Sequence, residues 1–135
     1  MEKKITLSMV RSLAENEIFV FGSNLAGSHG GGAARCAYEH FGAQWGVGTG
    51  IQGQSYAIPT MHGGLEDIRP YVDEFLDYAQ SHPEKQFLLT RIGCGIAGFR
   101  DSSMAPLFLR AMEMPNISIP AEWLPILTDL QSQNS

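Results

Sequence analysis

Apolar residues recur along this chain with two different periods. The short runs EIFVF (17–21), SYAIP (55–59) and FLLTRI (87–92) are nearly continuous in apolar and β-forming residues, as strands buried on both faces are. Between them the period lengthens. Ile68, Tyr71, Val72, Phe75, Leu76 and Ala79 repeat at i, i+3, i+4 and i+7, which predicts a helix over 67–81. Pro70 fits there only in the first turn or at a kink. Ala33, Ala34, Ala37 and Phe41 share one face of a second helix over 31–41, and Asp101 is placed to cap a third that runs to about 112. ITLSMV (5–10) and NISIP (116–120) read as short strands. GAQWGVGTGIQGQ (42–54) reads as loop or irregular strand, EWLPILTDL (122–130) is apolar without a decided type, and QSQNS (131–135) is a polar tail.

Strands and helices therefore alternate, which predicts an α/β fold of three layers, a mostly parallel sheet between helices. One domain over 1–130 accounts for the pattern. In such sheets ligands sit beyond the carboxyl ends of the strands, and that is where glycine concentrates. FGSNLAGSHGGGAA (21–34) holds five glycines after one strand, 61–64 follows a second, and 93–98 follows a third. Glycine loses more backbone freedom on folding than any other residue, so these clusters need a compensating reason. Loops without side chains let a ligand touch main-chain N–H groups, and a helix N-terminus adds partial positive charge. Tight turns and close helix–sheet packing are the structural alternative.

Charge narrows the ligand. Nine Lys+Arg against fourteen Asp+Glu give a net charge of −5 with no basic run, so the footprint of a nucleic-acid binder is missing. A polyanionic partner has to be small and held by backbone donors. No apolar stretch approaches the roughly 20 residues of a membrane span, and the start lacks a signal-peptide core. Two cysteines, Cys36 and Cys94, make no disulfide framework, which points to reduced thiols in a cytoplasmic protein. GSNLAGSHGGG lacks the Gly-Lys-Ser/Thr end of a nucleotide-binding P-loop, and its glycine spacing is not G-x-G-x-x-G.

FGSNLAGSHGGGAA after a strand, then QSYAIPT, then TRIGCGIAGF before a helix resemble the macro domain, an ADP-ribose-binding module, most closely its members that remove ADP-ribose from proteins or small molecules, among them small stand-alone bacterial or phage-type proteins. The likeness covers about 17–112. It implies a mixed sheet between helices and a site for ADP-ribose, or for a protein or small molecule that carries it, with no cofactor. By position, Asn24 matches the asparagine near the distal ribose. Gly30, Gly31 and Gly32, with Gly22 at the loop's start, match the loop around that ribose and the diphosphate. Gly93, Cys94, Gly95, Ile96 and Ala97 match the second phosphate loop, and Phe99 the apolar contact after it. The hydrolytic branch has a lysine where this chain has Met61 and His62, and an acidic residue where it has Ala97. The resemblance thus implies ADP-ribose binding, with hydrolysis of an ADP-ribosyl linkage as an open activity. A non-catalytic reader and a Rossmann-like nucleoside-monophosphate hydrolase are the alternatives.

The candidate catalytic groups are His29, His62 and Asp101. His29 is a general base near neutral pH or an exposed loop histidine. His62 follows the strand matched by YAIPT, where it is the best substitute for the lysine. Asp101 activates water or caps a helix. Cys94 reads as a small residue between glycines rather than a nucleophile. No HExxH or CxxC spacing supports a metal. Arg91 braces the second loop or pairs with a carboxylate, and Trp45 and Trp123 are core or rim aromatics.

Overall fold

Strands form where the aromatic and β-branched runs lie, and their pairing sets the frame of the site. The structure, a computed structural model, describes residues 3–7, 9–95 and 97–133. Six strands, β1 (Ile5–Thr6), β2 (Glu17–Ser23), β3 (Gly50–Gln52), β4 (Ser55–Pro59), β5 (Gln86–Leu89) and β6 (Ile117–Pro120), join in the order β1-β6-β5-β2-β4-β3. Every neighbouring pair is parallel except β3 with β4. The helices are α1 (Gly32–His40), α2 (Leu65–Gln80), α3 (Asp101–Met104) and α4 (Leu124–Gln133). Two 3₁₀ segments, Ala105–Glu113 and Ala121–Trp123, precede β6 and α4.

Alternation along β2 splits the interior into two cores. Ile18 and Val20 pack with Tyr56, Ile58, Phe75 and Phe108 on the face covered by α2, the longer 3₁₀ segment and α4. Phe19 and Phe21 pack with Ala34, Ala37 and Phe41 beneath α1. Val10 and Leu13 from the segment before β2 complete this smaller core. Helices on both faces of a mostly parallel sheet give the α/β architecture expected from the alternation. Among the described residues no helix is long and apolar enough to cross a membrane.

Boundaries moved where a partner was missing. Among the described residues of ITLSMV, Ile5 and Thr6 keep strand form, and they pair with Ile119 and Pro120. FLLTRI leaves the sheet after Leu89. α2 starts at Leu65, so Pro70 lies inside it rather than in its first turn. The helix from Asp101 tightens to 3₁₀ from Ala105, with Phe108 off helical angles at φ −105° and ψ 18°. GIQ within the glycine-rich 42–54 stretch forms the antiparallel edge β3. EWLPILTDL is helical, and α4 runs on through Gln133, into the expected tail.

Thr6 is 5% exposed and its hydroxyl has no hydrogen-bond partner. An unpaired buried hydroxyl costs about 1–3 kcal/mol. Thr6→Val keeps the β-branched shape and is expected to stabilise the fold by about 0.5–1 kcal/mol, measurable as a higher midpoint of urea unfolding. A lower midpoint would show that the hydroxyl is satisfied in solution.

Candidate functional site

The sheet order creates a crevice. From β2 the chain passes through α1 towards β4 on one side, and from β5 it passes through α3 towards β6 on the other. β2 and β5 are neighbours, so the two connections diverge and leave an opening beyond their carboxyl ends. A cleft of about 340 Å³ lies there. It is lined by 22–24, 28 and 31–34 from the first glycine loop, 60–61 after β4, and 90–93, 95 and 97 from the second loop.

The first loop ends in an unblocked helix start. Gly31 is the N-cap of α1 and makes no side-chain cap bond. The N–H groups of the first turn, residues 32–34, thus lack intrahelical acceptors and belong to residues that line the cleft. Gly32 has φ +56°, and a Cβ built there would meet nothing within 4 Å. Asn24 lines the cleft and organises the loop with its amide. Oδ1 accepts from the Ser28 N–H at 2.9 Å, and Nδ2 donates to the Ser28 carbonyl at 3.0 Å. The glycines of 42–54 back this loop from outside. A Cβ on Gly48 would lie 2.1 Å from the Asn24 carbonyl oxygen.

His29 belongs to that backing. Its side chain is buried, at 1% exposure, so the exposed-loop expectation does not hold. Nε2 faces two carbonyls, Gln44 at 2.9 Å and Val47 at 3.1 Å, and so carries the proton and donates to both. Nδ1 is buried without a partner, and the ring packs against Phe21 and Trp45. His29 ties the first loop to its backing and does not line the cleft.

The second loop lies directly against the first. A Cβ on Gly22 would come 3.3 Å from the Gly93 nitrogen, so the glycine at the end of β2 admits the neighbouring loop. Gly93 has φ +77°, and its carbonyl accepts from the Phe99 N–H at 2.8 Å. Gly95 and Ala97 line the cleft, and a Cβ on Gly95 would meet open space. Phe99 packs on the larger core rather than on the cleft. Gly30 sits beside the lining without joining it, and Ile96 lies outside the described residues.

Cys94 and Asp101 form a separate cluster behind this loop. Burial, then the Asp101 carboxylate, push the Cys94 thiol up to about 11. Asp101 is not the helix cap: it is the first residue of α3, and Arg100 occupies the cap position. Its carboxylate accepts from Arg91 Nε at 3.0 Å and Nη2 at 2.7 Å, and from the Trp123 indole at 2.7 Å. The Arg91 bonds hold the Asp101 carboxyl below the usual carboxylate range. Trp123 is fully buried, a core aromatic, whereas Trp45 is 56% exposed. At pH 8 a thiol with a pKa near 11 is about one-thousandth thiolate, so Cys94 is expected to react with iodoacetamide about 100-fold more slowly than a free cysteine. The rate should rise about tenfold per pH unit and level off only near pH 11. Fast labelling at pH 8 would restore the nucleophile reading.

His62 donates from Nε2 to the Asp67 carbonyl at 3.0 Å, and its ring packs edge-on against Tyr71. It does not line the cleft, although Thr60 and Met61 beside it do. The structure thus brings Gly22, Asn24, Gly31, Gly32, Gly93, Gly95 and Ala97 together, and places His29, His62 and Asp101 outside the lining. Sequence reading missed Ser23, Thr60 and Thr90, which line the cleft where β2, β4 and β5 end and whose hydroxyls donate to the carbonyls of Gly48, Ser23 and Val20. Their position at strand ends was the available signal.

The described residues of the lining include no Asp, Glu, Lys or His, and Arg91 is the one cation. In a chain of net charge −5 such a surface suits an anion met by main-chain donors. A second cavity of about 560 Å³ adjoins it through Gly32, Ala33 and Thr90, with Leu7, Met9, Val10 and Phe19 on its wall beside Arg11, Cys36 and His40. Comparison with protein-family models, with curated proteins and with solved structures returned no match to this chain.

Proposed function

We propose that the cleft binds ADP-ribose or a closely related ADP-ribosyl nucleotide, with the diphosphate between the two glycine loops. The observation that carries this reading is the convergence of those loops, from β2 and β5, on one carboxylate-free cleft at the uncapped start of α1. The adjoining cavity, whose wall combines Leu7, Met9, Val10 and Phe19 with Arg11 and His40, supports an adenine-sized end group. The resemblance to macro domains points to the same ligand class.

A second reading, that the site holds ADP-ribose without cleaving it, is favoured by a specific arrangement. His29 and His62 use Nε2 on main-chain carbonyls, Asp101 is held by Arg91 and Trp123, and none of the three lines the cleft. A general base has to come within hydrogen-bond reach of the proton it takes. Calorimetric titration with ADP-ribose tests binding, and release of ADP-ribose from a modified protein tests cleavage. One-to-one binding without release is expected. No heat at millimolar ligand would remove the proposal, and turnover would replace the reader with a hydrolase.

A further inference from the structure

Arg91 is the one cationic side chain among the described residues that line the cleft, and it is engaged elsewhere. Nε and Nη2 donate to both oxygens of Asp101, and Nη1 stands 3.7 Å from Glu122. A bidentate pair of this kind fixes the plane of the guanidinium as well as offsetting its charge. Asp101 is anchored in turn by the indole of Trp123, which is fully buried. Neither Asp101 nor Glu122 lines the cleft. A buried ring therefore holds a carboxylate, and the carboxylate holds the cation at the cleft wall.

We propose, resting on the anion-binding reading of the cleft, that Asp101 is a positioning residue that sets ligand charge specificity. By pinning and neutralising Arg91 it leaves anion binding to main-chain donors, which suits the esterified diphosphate of a nucleotide sugar. Free polyphosphates carry more charge than an esterified diphosphate and would gain more from an unpaired guanidinium, a gain that the Arg91–Asp101 pair withholds. The cleft then discriminates for the esterified diphosphate and against inorganic pyrophosphate.

Asp101→Asn removes the charge and keeps Oδ1 as an acceptor for Arg91 Nε and the Trp123 indole. Wild type, Asp101→Asn and Asp101→Asn with Arg91→Gln are titrated with ADP-ribose and with inorganic pyrophosphate at two salt concentrations. Asp101→Asn is expected to tighten pyrophosphate at least about tenfold and ADP-ribose at most about threefold, with a steeper salt dependence. Adding Arg91→Gln should return both affinities to within about twofold of wild type, since the local net charge is restored. A loss of stability alone would not change the ratio of the two affinities. An unchanged ratio in folded Asp101→Asn, with wild type still binding ADP-ribose, overturns this proposal and leaves the binding site standing. Wild type that binds neither ligand overturns the site itself and this proposal with it. Should Asp101→Asn fail to fold, the double variant is read alone: ADP-ribose affinity within about twofold of wild type is expected. A tenfold loss there would mark Arg91 as a direct ligand contact and overturn the proposal.

Discussion

Gly27→Ala is expected to lower folding stability by about 2–5 kcal/mol, combining about 1–2 kcal/mol of left-handed backbone strain with about 1–3 kcal/mol of overpacking. Gly27 has φ +71°, and a Cβ there would lie 2.3 Å from the Val47 nitrogen and 2.4 Å from the Gly46 carbonyl carbon. Both neighbours are backbone, so neither can rotate aside as a side chain would. The same residue carries a tie between the two segments, for its carbonyl accepts from the Gly46 N–H at 2.9 Å. His29 adds its two bonds to Gln44 and Val47 close by. Forcing these segments apart should loosen the first loop as well as the fold, so ligand affinity should fall together with stability. Thermal unfolding followed by circular dichroism should show a midpoint lower by on the order of 10 °C. A change below about 1 kcal/mol, small beside the usual cost of overpacking, would mean that 46–48 yields and does not brace the loop.

Gly95→Leu should have the opposite signature. Gly95 lines the cleft, its φ is not in the left-handed region, and a Cβ there meets nothing within 4 Å. The fold therefore tolerates a side chain, and the cleft receives it. ADP-ribose affinity is expected to fall at least about 100-fold, close to 3 kcal/mol of binding free energy, while stability stays within about 0.5 kcal/mol, as for other substitutions into open space. Calorimetry and thermal melts on the same preparation separate the two quantities. Undiminished affinity in a folded Gly95→Leu would put the ligand somewhere else on the molecule. Together the two variants sort the glycines by role: Gly27 answers to the chain's own backbone, Gly95 to the space left for a ligand.

Elements were legible where packing is uniform along them. All five residues of SYAIP are buried, so the continuous apolar run and β4 coincide. The apolar stripe of α2 sits on the sheet at Ile68, Val72, Phe75, Leu76 and Ala79, as its period indicates. FLLTRI misleads because apolar character does not end with the strand: Ile92 is buried as part of the loop, and the Thr90 hydroxyl turns back to the Val20 carbonyl at 2.7 Å. β3 was obscured by glycines whose reason lies in the neighbouring loop rather than in the strand itself.

The cleft was half legible. Glycine clusters at strand ends located both loops, because that follows from chain order alone. The roles of His29 and Asp101 depend on partners far along the chain. His29 meets Val47, and Asp101 meets Trp123 across 22 positions. No local pattern marks either pairing. Asn24 was the converse case, since its side-chain bonds run to Ser28, only four positions on.

Amide chemical shifts report, residue by residue, whether main-chain N–H groups of the two loops hold the ligand's diphosphate as proposed. A ¹H–¹⁵N correlation spectrum recorded during titration with ADP-ribose should show its largest shifts at 22–24, 31–34 and 93–97, with little change in α4. Largest shifts confined to residues away from those loops, or none at millimolar ligand, would contradict the proposal.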